Sequence, residues 1–288
     1  MRVTYSRHCL WPGISLTLLC FFSSYVFPAA PIVSPTFASR IFNPGPQIAS
    51  GHDSWSLFNN PAGLAFSKGA ELRAGYAYAW SNPSNFQQAE AASALRLFPG
   101  FDLGLGFQFE IPSELENDKG FFNAQLGLAY CLKNMISFGL WGLAQKRYSQ
   151  ADVDPFLLGL GIQYAPIQWF ALGGTMKQVY GDWSAPFAFY AGISAKPAWD
   201  PLELFIETRF WPKDSAWSDG YDIKPITGFS LDLNGFIVYF NTVIQPNPLF
   251  MLGVDIDWDH FGFGVIGGNA YAGGRLKLSS EERSKEGL

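Results

Sequence analysis

Phe101-Asp102-Leu103-Gly104-Leu105-Gly106-Phe107-Gln108-Phe109-Glu110-Ile111 is the stretch that decides the fold. Every odd position is a large apolar side chain, and every even one is glycine or polar. A strand turns successive side chains to opposite faces, so this is one wholly apolar face backed by a narrow, hydrophilic one. The same period of two recurs along the chain. Leu72–Ala74–Tyr76–Tyr78–Trp80 is set against Glu71, Arg73 and Gly75, and Phe122–Ala124–Leu126–Leu128–Tyr130 against Asn123, Gln125 and Gly127. Leu202–Leu204–Ile206–Thr208–Phe210 opposes Glu203, Glu207 and Arg209. Phe250–Leu252–Val254–Ile256–Trp258 opposes Gly253, Asp255 and Asp257. Runs near ten residues long are what a tilted membrane-spanning strand requires.

Extended over the whole chain, the pattern predicts strands near 71–80, 87–97, 101–111, 121–131, 135–146, 156–165, 168–178 and 187–196. Six more follow near 201–211, 225–233, 235–244, 249–258, 260–266 and 270–278. The expected fold is all-β, a transmembrane antiparallel up-and-down barrel of about 14 strands, 12 at the fewest. The alanine-rich Gln87–Leu97 reads equally well as a short helix by propensity; it counts as a strand because its neighbours need a partner. Links alternate in length. Phe98-Pro99-Gly100, Leu132-Lys133-Asn134, Pro166-Ile167 and Asn234 are tight, whereas 112–120, 147–155, 178–186 and 212–224 are longer and polar. In an outer-membrane barrel short turns face the periplasm. Glu114 and Asp214 are thus expected outside the cell, and Lys133 and the N-terminus in the periplasm.

Composition agrees. Of 288 residues 17% are aromatic and only 15% charged, against roughly 25% charged in an ordinary soluble domain. A secreted β-sandwich would also alternate, but its solvated face would be rich in Lys, Glu and Thr rather than Gly, Ala and Gln. Tyr78, Trp80, Trp169, Trp211 and Trp258 fall near predicted strand ends, as an interfacial girdle does. The net charge of −5, with no basic run, argues against a nucleic-acid partner.

The first 30 residues read as a signal peptide, with Arg2, Arg7 and His8 before the apolar Ile14–Phe27 and small residues at Ala29–Ala30; cleavage as late as Ala38 is compatible. They carry two positive charges and no acid, so export takes the net charge from −5 to about −7. Cys9 and Cys20 leave with them, and Cys131 alone cannot form an intrachain disulfide. The remainder divides into an N-terminal segment at 31–70, the barrel at 71–278 and a polar tail at 279–288.

Residues 40–66 are too irregular for a strand and too apolar for a tail. Eight strands give a lumen that side chains fill, whereas sixteen leave a channel. A fourteen-stranded lumen therefore needs an occupant, and this segment is expected to plug it, with Pro61 fixing φ and Gly63 permitting a tight reversal. A plain periplasmic turn leading into the first strand is the alternative.

Within that segment, Asn59-Asn60-Pro61-Ala62-Gly63-Leu64, between an aromatic-rich stretch and the first strand, resembles the N-terminal motif of the FadL-like outer-membrane family. The resemblance covers the motif and the general architecture. It implies a fourteen-stranded barrel, a luminal plug containing Asn59, Asn60, Pro61, Ala62, Gly63 and Leu64, and passive carriage of fatty-acid-like or other hydrophobic compounds. This chain is shorter than that family, with small external loops. Phe121, Phe205 and Trp211 are the candidate ligand-lining aromatics. The expected partners are membrane lipid, a hydrophobic small molecule and the outer-membrane assembly machinery. A barrel that scaffolds a secretion or peptidase partner without transport is the second possibility.

No catalytic, cofactor or metal site is expected. His52, Asp53 and Ser54 are consecutive, and a working triad is defined by geometry rather than adjacency. After export only His52 and His260 remain as imidazole ligands. Asp255, Asp257 and Asp259 read as solvated luminal charges near a periplasmic turn.

Overall fold

The computed structural model describes residues 45–67, 69–79, 86–112, 121–147, 156–180, 188–197, 201–212, 221–244, 248–268 and 271–280. The proposed signal peptide, residues 31–44, the loops containing Glu114 and Asp214, and tail residues 281–288 lie outside them, as do the side chains of Phe121 and Trp211. A short helix α1 (Ser56–Asn59) and a 3₁₀ helix (Pro61–Phe66) precede the strands. These are β1 (Ala70–Ala79), β2 (Phe86–Phe98), β3 (Phe101–Pro112), β4 (Phe121–Leu132), β5 (Ile136–Arg147), β6 (Phe156–Ile167) and β7 (Phe170–Tyr180). There follow β8 (Ala188–Ala195), β9 (Leu202–Pro212), β10 (Tyr221–Leu233), β11 (Phe236–Val243), β12 (Leu249–Asp257), β13 (Phe261–Gly268) and β14 (Tyr271–Ser279). Each pairs antiparallel with its sequence neighbour, and β1 pairs with β14 from Glu71↔Ser279 to Ala79↔Tyr271, closing a fourteen-stranded barrel. Closure removes every sheet edge, as a hydrocarbon environment demands.

The faces follow the alternation. Leu105 and Phe107 are 44% and 37% exposed on the outside, while Gln108 is 7% exposed inside. Leu126, Leu128 and Tyr130 of β4 and Phe250 and Leu252 of β12 are likewise exposed, and Trp169 and Trp258 stand exposed beside the tight turns. Arginine on the lipid side near mid-membrane costs roughly 2–4 kcal/mol. Leu105→Arg should therefore reduce the heat-modifiable folded band on gels far more than Gln108→Arg. Equal folded fractions would overturn the assignment of faces.

Two of the tight turns show why they are tight. Lys133 and Asn134 both have φ of 54°, and Asn234 and Gly235 have 57° and 104°. Positive φ at both central residues is the primed turn that matches strand twist. Gly235 thus belongs to the turn rather than to the strand predicted from 235. Pro166 was expected in a link, but β6 continues through it to Ile167. The register slips between Tyr164 and Ile167, and a bulge tolerates the missing N–H. Similarly β10 starts at Tyr221, earlier than predicted, and carries Pro225 within it. The ambiguous alanine-rich stretch is a strand. Ala92 and Ala94 are buried on its luminal side, and Ala94 packs in a cluster with Leu57 and Leu64 of the N-terminal segment.

Candidate functional site

The described part of the N-terminal segment, from Gly45 to Ser67, lies inside the barrel. Ile48, Ala49, Trp55, Leu57, Ala62 and Leu64 are all buried. The 3₁₀ helix packs on β3, β4, β5 and β6, and α1 on β3 and β4. The expected plug is thus a packed luminal element rather than a turn outside the barrel.

Asn60 is its keystone. Its side-chain oxygen accepts from the Ala62 N–H at 3.2 Å, capping the 3₁₀ helix, and Pro61 follows where no N–H is needed. Its amide nitrogen donates to the carbonyls of Ile48 at 2.7 Å and of Ile162 on β6 at 3.0 Å. One side chain therefore ties the helix, the preceding segment and the wall together. Asn59 is buried beside it, donating to the Trp55 carbonyl. Gly63 has a role other than the expected reversal, since its φ is not positive. A Cβ there would fall 2.5 Å from the Gly51 carbonyl oxygen and 2.6 Å from Ser56 Oγ, so glycine lets two parts of the plug touch.

The wall is hollowed to match. Cβ atoms on Gly104, Gly106 and Gly127 would strike Leu57, Phe58 or Leu64. On Gly139 and Gly161 they would strike Asn60, Pro61 or Ala62, and on Gly173 and Gly192 they would meet Ile48. These positions span six consecutive strands, β3 to β8, with Gly104↔Gly127, Gly139↔Gly161 and Gly173↔Gly192 in direct register.

Charged groups fasten the edges. Glu207 of β9, 0% exposed, accepts from the Gln47 and Ile48 N–H groups at 2.5 and 2.7 Å. Arg209 donates to the Gln47 side-chain oxygen at 2.7 Å and lies over the Tyr190 ring, and Ser50 donates to Glu203. On the other flank Arg73 pairs with Asp53 and Glu71, and Ser54 donates to Glu71 through both backbone and hydroxyl. At the base Ser67 and Arg96 meet Asp102. Unsatisfied buried donors cost about 1–3 kcal/mol each. Glu207→Ala, which orphans two of them, should free the 45–50 strap while the 3₁₀ helix stays seated. A cysteine placed at Ile48 in a Cys131→Ser background should then react with a thiol reagent at least tenfold faster, roughly 1.4 kcal/mol of opening. An unchanged rate would dismiss the latch.

Further residues complete the lumen. Gln88 and Gln108 both donate to Glu90, and Asn123 donates to Gln108, forming an amide-collared carboxylate on β2–β4. Asp255 and Asp257 face the lumen as expected but are ion-paired, with Arg275 and Lys277 of β14, rather than solvated. His52, Asp53 and Ser54 engage three separate partners: the Ser50 carbonyl, Arg73 and Glu71. Phe205 is luminal, buried with Ile226 and Val243 on the side away from the 3₁₀ helix. Sequence reading missed Gln47, Ile48, Glu71, Arg73, Glu207 and Arg209. The signal for Glu71 with Arg73 and for Glu207 with Arg209 was the pairing of opposite charges at i, i+2 on the narrow faces of β1 and β9; Gln47 and Ile48 carried none.

The fold is shared with solved channels. The toluene transporter TbuX of Ralstonia pickettii is 10% identical at a TM-score of 0.60, covering 85% of this chain and 98% of that one. The toluene transporter TodX of Pseudomonas putida is 10% identical at 0.56, covering 88% and 97%. The monoaromatic hydrocarbon channel CymD is 12% identical at 0.52, covering 80% and 92%. No family model and no curated protein matches the chain. At these identities the likeness establishes the fold alone: the closed fourteen-stranded barrel of this chain is shared with these solved channels.

Proposed function

We propose that the chain is a FadL-like outer-membrane channel, not an enzyme, that passes hydrophobic small molecules passively through a lumen obstructed by residues 40–66. The observation carrying this reading is the plug itself, seated on glycine-hollowed strands inside a barrel with an apolar exterior. The fold it shares with toluene and monoaromatic hydrocarbon channels supports it. Among fatty-acid-like and other hydrophobic cargo, the luminal charge favours neutral molecules. Arg73, Arg96, Arg275 and Lys277 each face an acidic partner, and Arg209 is engaged by Gln47 and the Tyr190 ring. Each of these five cations is already engaged, and Glu90 would repel a carboxylate across a low-dielectric lumen. Phe205 supplies buried aromatic surface on the luminal side, and Phe121 and Trp211 are the two further lining candidates from the sequence.

Reconstituted vesicles test this. The protein should speed toluene entry several-fold over empty vesicles while leaving decanoate entry at the lipid rate. No acceleration of either, together with a stoichiometric co-purifying protein, would replace transport by a scaffold role. The short turns are assigned to the periplasm. Cysteines at Glu114 and Lys133, in a Cys131→Ser background, should label from outside intact cells at the first position alone. Equal labelling would reverse or dismiss that orientation.

A further inference from the structure

On the wall opposite the plug's helices, Phe205 of β9, Gly228 of β10, Asn241 of β11 and Met251 of β12 stand in one row. The register is direct throughout: Phe205↔Gly228, Gly228↔Asn241, Asn241↔Met251. Ile226 and Val243, paired with each other one luminal position along, complete an apolar patch with Phe205. Gly228 lets its neighbours close in at the centre of the row. A Cβ there would overlap the Phe240 carbonyl oxygen and lie 2.6 Å from Asn241 Oδ1 and 2.8 Å from Phe205 Cζ, so the amide and the ring edge converge over the glycine. Asn241 is 0% exposed, yet among the described residues neither its Nδ2 nor its Oδ1 has a hydrogen-bond partner. A native protein seldom buries both ends of an amide unsatisfied among apolar neighbours, and such a group calls for a ligand.

Resting on the transport reading above, we propose that this row is a binding subsite for a hydrophobic molecule bearing one neutral hydroxyl, a phenol or a related alcohol. A hydroxyl both donates and accepts, so it satisfies Oδ1 and Nδ2 together. A pure hydrocarbon satisfies neither. A carboxylate could take only the Nδ2 donor, and would face the Oδ1 lone pairs with Glu207 two residues from Phe205 on the same strand face. The apolar body lies on Phe205, Ile226 and Val243. The row is closed over in this structure, and Met251, unbranched and with three rotatable bonds, is the side chain that swings to admit the guest.

The test measures binding of 1-naphthol, naphthalene and 1-methoxynaphthalene to the full chain purified in detergent. The wild type should hold 1-naphthol about tenfold more tightly than naphthalene, the value of one hydrogen-bonded group that the hydrocarbon lacks, with the acceptor-only ether between them. Asn241→Leu should abolish that preference by weakening 1-naphthol while leaving naphthalene unchanged or tighter. Equal wild-type affinity for the first two probes would overturn the subsite and leave the channel standing. Binding of none of the three would remove both. If Asn241→Leu does not migrate as a folded barrel, Asn241→Ala is measured instead, and a preference that survives there equally overturns the proposal.

Discussion

Deleting residues 40–66 should yield a barrel that still folds and conducts far more than its parent. The ladder explains the first half of that expectation. Every strand-to-strand bond runs between residues from Ala70 onward, including the β1–β14 seam that closes the cylinder. The plug contributes side-chain and capping contacts, but no strand. Its removal exposes Glu71, Arg73, Glu203, Glu207 and Arg209 to water in the lumen, where charges need no protein partner. The second half follows from what the plug occupies. Leu57, Phe58 and Leu64 fill the space above Gly104, Gly106 and Gly127, while Ile48 fills that beside Gly173 and Gly192. Without the segment these five glycines, with Gly139 and Gly161 beneath Asn60–Ala62, face an empty lumen, in a barrel near the width at which porins open. Planar-bilayer recordings would show rare, small events in the parent and sustained open steps in the deletion. A folded deletion that conducts no more than its parent would show that residues 40–66 do not obstruct the pore, and transport would lose its main support.

How far this was legible in the sequence depends on what each residue answers to. Lipid-facing residues answer to one solvent, so alternation at Phe101–Ile111 or Phe122–Tyr130 revealed both strand and face. Lumen-facing residues answer to particular neighbours across the pore. Gly104 and Gly173 look alike in sequence, yet one yields to a leucine side chain and the other to the backbone at Ile48. The restraint that Pro61 places on φ was readable because it is local; the Asn60 cap and the 3₁₀ helix were not foreseen, and the bond from Asn60 to Ile162 spans 102 residues. The Glu207 latch was hidden for the same reason. A buried acid on β9 announces a partner, but nothing within its own strand says that the partner is the backbone at Gln47 and Ile48. The strand boundary at Pro166 failed differently: proline usually ends a strand, and here a bulge absorbs it.

Gly173 and Gly174 turn that distinction into the sharpest expectation. They are adjacent in β7, so their side-chain positions point to opposite faces. A Cβ on Gly174 would meet nothing nearer than 3.7 Å, from Ile162 Cγ2 and the Tyr190 carbonyl oxygen, which is ordinary contact. A Cβ on Gly173 would overlap the carbonyl of Ile48 and come within 2.8 Å of the Ala49 Cα. Both are backbone atoms, with no rotamer to retreat into. Overpacking against side chains costs about 1–3 kcal/mol; here the cheaper response is for the strap at Gln47–Ala49 to leave its seat, drawing the latch on Glu207 with it. Gly173→Val should therefore assemble a barrel but raise conductance and expose the plug to added protease. Gly174→Val should behave as the parent, since a β-branched residue suits an outward strand position. The two variants differ by one residue in position and not at all in chemistry, so general damage to the strand would affect both. Equal plug protection in the two would mean that the wall glycines do not seat the plug.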